Sequence, residues 1–133
     1  MMANNIVEVN ANNIGVMDSE DILNFFCERY RGLKVPDTIE FFELTKIEHI
    51  LSYLANERSY LNYLLCAVDI QARRYKMAKL TDEHTLAVCK KEIIKAYKDS
   101  LETMSNTISR MITIYQLEKE QERYENKLSQ IGA

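Results

Sequence analysis

Eight cations crowd one part of this sequence: Arg73, Arg74, Lys76 and Lys79, then, after Asp82 and Glu83, Lys90, Lys91, Lys95 and Lys98. Such a concentration suits phosphates or an acidic protein surface. It also suits the negative carboxyl end of a helix, in which case it is a solvated face. A second set, Tyr53, Tyr60, Tyr63, Ala67 and Ile70, recurs at helical spacing. Its rings can stack on nucleobases, but such a stripe is read first as a packed interface between copies of the chain. Other reactive types are sparse. His49 and His84 each follow a glutamate directly, so each pair diverges by about 100° on a helix and is a poor chelate. Cys27, Cys66 and Cys89 show no C-x-x-C spacing and read as reduced, buried thiols. Glycine occurs only at 15, 32 and 132, which excludes the phosphate-binding glycine loops and the G-x-S-x-G elbow. No catalytic residue, cofactor or metal is therefore expected, and the chain is read as non-enzymatic.

The elements that position these residues follow from what is missing. Residues 37–131 contain neither glycine nor proline, the residue types that most reliably end helices. Asp18 or Ser19 can cap a first helix over about 19–31, carrying Ile22, Leu23, Phe25, Phe26 and Tyr30 and stopping at Gly32. Asp37, with Glu40 three positions on, resembles a capping box that restarts the chain. Two heptad sets follow, Leu44, Leu51, Arg58, Leu65, Ala72 and Ile47, Leu54, Leu61, Val68, Tyr75, a pattern for helix-on-helix packing. Thr81, Asp82 and Glu83 after Leu80 mark a turn and a new helix start. The third helix carries Leu86, Ile93, Tyr97, Leu101, Met104, Ile108, Met111 and Tyr115, after which the apolar stripe shifts to Leu117, Tyr124, Leu128 and Ile131, and the mostly charged stretch Glu118 to Lys127 is expected as a solvated extension. The fold expected is all-α: a long antiparallel hairpin of residues ~38–79 and ~82–128 with a short N-terminal helix, elongated or folded into a bundle. Residues 1–17, rich in Asn, are expected as a flexible arm, and 18–133 as one helical domain.

A continuous helix over residues 38–79 is about 63 Å long, against a diameter of about 36 Å for a compact domain of this size. Folding back about Leu80 brings polar residues 56–59 level with polar residues 102–106. This predicts either paired bends or a polar layer in which Arg58, at a heptad position, meets Glu102 or the neighbouring hydroxyls. The first helix is too short to cover the whole tyrosine face, so a second copy of the chain is expected there.

Charge is nearly balanced, 17 basic against 20 acidic residues, which argues against a generally basic nucleic-acid coat. No apolar run approaches the roughly 18 residues of a membrane span, and the amino terminus lacks the charge and apolar core of a signal peptide. A cytoplasmic protein without membrane contact is expected. Its function is read as a helical interaction or assembly protein, an adaptor, inhibitor or structural subunit, whose partners are itself and another protein. The layout of arm, small helix and long hairpin resembles that of some tailed-phage small terminase subunits. The resemblance is one of layout, without a shared motif. It implies an oligomeric protein that binds nucleic acid through the basic hairpin end.

Overall fold

In the computed structural model, residues 8–39 and 44–132 are described, and they form three helices without strands: α1 (Ser19–Arg29), α2 (Leu44–Met77) and α3 (Thr81–Ile131). Asp18 caps α1 by accepting a hydrogen bond from the Asp21 amide at 2.9 Å, with Glu20 and Asp21 in the positive first turn. The helix stops two residues before the expected end, and Gly32 then takes φ 74°, a conformation open to glycine without a Cβ clash. The expected cap of the second helix falls mostly outside the described residues: Glu40 is not described, and Asp37 lies in a bend.

Both long helices are unbroken. The polar residues 56–59 and 102–106 lie within continuous α2 and α3, so the expected bends are absent and the hairpin is elongated. At 1.5 Å per residue α2 is about 51 Å long and α3 about 77 Å. Between them, Lys79 adopts φ 60°, its amide donates to Lys76 O at 3.1 Å, and the Leu80 amide donates to Tyr75 O at 2.9 Å. This is a Schellman ending with lysine in the left-handed position that glycine usually fills. The fold-back places Lys91 Nζ 2.9 Å from Asp69 Oδ1, the height expected for a hairpin turning at Leu80.

The core comprises Ile22, Phe25 and Phe26 of α1, Ile47, Leu54, Leu61, Leu64 and Val68 of α2, and Ile94, Leu101 and Ile108 of α3. Of the two heptad sets in α2, the one through Ile47, Leu54, Leu61 and Val68 is buried up to Tyr75, which is half-buried, while Leu44, Leu51, Arg58 and Leu65 of the other are half-buried and only its last member, Ala72, is buried. In their place Glu57 and Leu64 face inward. α1 itself packs against α3 and reaches this face of α2 through Arg29, whose guanidinium meets Glu57.

The segment before α1 departs furthest from expectation. Residues 8–17, expected as part of a flexible arm, are packed on the hairpin: Val9 is 0% and Ile14 2% exposed. The asparagines that suggested mobility build the turn. Asn10 Oδ1 accepts from the amides of Asn12 and Asn13 at 2.8 and 3.0 Å, Asn13 Oδ1 accepts from the Asn10 amide at 2.8 Å, and Asn13 Nδ2 donates to Glu8 O at 2.7 Å. Local side-chain bonds of this kind satisfy a loop's backbone without helix or sheet.

Candidate functional site

The basic hairpin end is in place but thinner than the sequence implies. Lys90 is buried, its Nζ donating to Ile14 O at 3.3 Å and Gly15 O at 3.1 Å, and desolvation pulls its pKa below the usual lysine value. The signal was present: Lys90 lies three residues after Ala87 and four before Ile94, on the buried stripe of α3. Asp69 takes two more cations, Lys91 at 2.9 Å and Arg73 at 3.0 Å. The hydrogen bond from Lys91 holds its carboxyl below the ordinary aspartate value. Arg74, Lys76, Lys79, Lys95 and Lys98 form no ion pair among the described residues.

The tyrosine face is divided. The Tyr60 hydroxyl donates to Val9 O, the Arg29 guanidinium stands 4.5 Å from its ring centroid, and burial pushes the phenol up to about 12. Ala67 packs against the core. These two positions are covered from within the chain, whereas Tyr53, Tyr63 and Ile70 stay exposed. Only the latter three remain of the expected interface between copies.

The expected Arg58–Glu102 layer does not form. Glu102 is exposed, and Arg58 Nε is buried without a hydrogen-bond partner among the described residues. The charge pair lies one residue earlier: Arg29 of α1 places Nε 2.6 Å from Glu57 Oε1 and Nη2 3.0 Å from Oε2, a bidentate fork. Residue 57 lies three after Leu54 and four before Leu61, so it shares their inward face and meets α1. Its carboxylate hydrogen bonds hold the Arg29 pKa well above the usual arginine value. Beside it the Tyr30 hydroxyl is buried without a hydrogen-bond partner of good geometry among the described residues, and burial, followed by the neighbouring Glu57 carboxylate, raises that phenol strongly.

The thiols are not core residues: Cys27, Cys66 and Cys89 are all exposed. Cys27 Sγ lies 3.1 Å from the Tyr97 hydroxyl, whose pKa rises to about 12 through burial and that contact. Among the described residues, no group of three or more His, Cys, Asp or Glu stands close enough to hold a metal ion, and no helix is long and apolar enough to cross a membrane.

The feature that the expected site omitted is the far end of α3. Folded back about Leu80, the described start of α2 at Leu44 lies near the level of Leu117, and every residue from 116 to 131 is exposed. Along this overhang the side that continues the α2-facing stripe turns polar: Lys119 lies over the Tyr115 ring at 5.4 Å and 3.5 Å from Glu122. The apolar residues move to the opposite side. Leu117, nine residues past the buried Ile108, is about two and a half turns on and so half a turn around. Ile114, Leu117, Tyr124, Leu128 and Ile131 are 50, 59, 63, 49 and 81% exposed. With Gln121 they repeat at alternating spacings of three and four, the a and d positions of a coiled-coil seam. The sequence shows this change of stripe, but only the placement of α2 shows that the new stripe faces outward.

No protein-family model, curated protein or solved structure matches this chain.

Proposed function

We propose that this chain is a non-enzymatic helical assembly protein of the cytoplasm, acting through exposed helix faces as a homo-oligomer and presenting those faces to another protein as an adaptor, inhibitor or structural subunit. The observation that carries this reading is the outward apolar seam of the α3 overhang. A helix segment that was only a solvated extension would have no need of apolar residues in heptad register, and on an unpartnered helix they leave a stripe exposed to water. Light scattering of the full chain at micromolar concentration tests it. The expected result is a mass that is a multiple of 15.6 kDa, and a monomer would contradict the reading.

A second reading is supported by the five cations at the hairpin end that form no ion pair among the described residues. Phosphate-binding surfaces need cations free to exchange counterions, and Arg74, Lys76, Lys79, Lys95 and Lys98 meet that requirement. A salt-dependent mobility shift of DNA or RNA that disappears on Arg74→Glu with Lys95→Glu would favour it. Absence of any shift at low salt would discard it.

A further inference from the structure

We propose that the α3 overhang pairs with the same segment of a second copy as an antiparallel two-stranded coiled coil, Leu117 of one copy facing Leu128 of the other. The proposal rests on the assembly reading above and names its interface and orientation.

Three observations select a second copy in this orientation. The first is length. The seam runs from Ile114 to Ile131, and the next outward position toward the hairpin is Arg110, which is exposed. Antiparallel pairing about the middle of this stretch mates every seam position: Ile114 with Ile131, Leu117 with Leu128, and Gln121 with Tyr124 of the second copy. Parallel pairing brings the hairpin bodies side by side and sets Arg110 against Arg110, a like-charge layer in the seam.

The second is charge. With Ile114 and Leu117 as a and d, Glu120 and Lys127 occupy g positions, and Glu118 and Glu125 occupy e positions. The antiparallel arrangement sets Glu120 beside Lys127 of the second copy and Glu118 beside its Glu125, one attractive and one repulsive contact in each half. The parallel arrangement sets Glu120 beside Glu125 of the second copy and offers no opposite-charge contact to offset it.

The third is shape. Ile114 borders a shallow notch shared with Ile39, Met111 and Glu118 at the root of the overhang. Antiparallel register brings Ile131 of the second copy, the most exposed residue of the seam, level with this notch.

Cysteine cross-linking distinguishes the arrangements. In a background with Cys27, Cys66 and Cys89 replaced by serine, Leu117→Cys and Leu128→Cys proteins are made separately, then mixed and oxidised. The expected result is a disulfide-linked dimer containing one chain of each kind, with neither protein cross-linking when alone. Two copies of residue 117 lie about 16 Å apart along an antiparallel axis, beyond the roughly 7 Å limit for a disulfide. Self-linked dimers of either protein alone overturn the proposal in favour of parallel pairing. A second variant, Leu117→Glu with Leu128→Glu, is expected to become monomeric by light scattering while keeping its helical circular dichroism. If that variant stays oligomeric, the seam is not the interface, although the assembly reading stands. A monomeric unmodified chain removes both.

Discussion

At the scale of single residues, two tyrosines near one arginine behave oppositely. Tyr60 donates a hydrogen bond from its hydroxyl to Val9 O, whereas the Tyr30 hydroxyl is buried without a hydrogen-bond partner of good geometry among the described residues. Removing a satisfied donor leaves a carbonyl unpaired, and removing an unsatisfied hydroxyl relieves a desolvation cost. Tyr60→Phe is therefore expected to destabilise the fold by about 1 kcal/mol and Tyr30→Phe to be neutral or stabilising. Urea midpoints of the two variants check this, and an equal loss in both would contradict it. Lys79 offers a test in the other direction. Its φ of 60° is costly for a residue with a Cβ, so Lys79→Gly is expected to stabilise by about 1 kcal/mol and to raise the melting temperature. A lowered one would mean that the turn depends on the lysine side chain. Neither effect is legible in the sequence, since backbone conformation at Lys79 and the missing partner of Tyr30 exist only in the folded chain.

At the scale of elements, the hairpin was legible because its signals are local and repeated: the absence of helix breakers, the heptads of α2 and the acidic first turn of Asp82 and Glu83, although Thr81 does not cap α3 and Leu80 stands at the N-cap without a side-chain hydrogen bond. The amino-terminal segment was not, because its order depends on partners far away in sequence. Lys90 holds Ile14 O and Gly15 O across more than seventy residues, and Tyr60 holds Val9 O. Lys90→Met keeps the buried stem but leaves both carbonyls without their donor, so it is expected to loosen this segment while α2 and α3 persist. Hydrogen exchange should rise at residues 9–17 alone; a uniform rise across the hairpin would assign Lys90 to the core instead. The Arg29–Glu57 fork also joins elements that sequence patterns treat separately. The heptad directed attention to Arg58, and a rotation of α2 by one position put Glu57 inside in its place.

At the scale of the whole molecule, three half-buried tyrosines make stability depend on pH in the alkaline range. Tyr60 and Tyr97 rise from 10.0 to about 12, and Tyr30 rises further still. Above pH 10 the unfolded chain releases these protons before the folded one does. The folded state then holds more protons, and stability falls as pH rises. Lys90, whose pKa is lowered, acts in the opposite sense and offsets part of the loss. The melting temperature is expected to decline between about pH 10 and 12, and a flat profile there would contradict the burial of these rings. α3 runs well past the start of α2 and changes its apolar side at that level. A lone overhang of about fourteen residues is a marginal helix in water, so its order should depend on what covers its outer face. Hydrogen exchange of the intact chain as a function of concentration measures this most directly. At high micromolar concentration the amides of residues 118–131 should be protected and should lose protection on dilution, while residues 87–108 stay protected throughout. Fast exchange of 118–131 at every concentration would contradict assembly through the outer seam of α3.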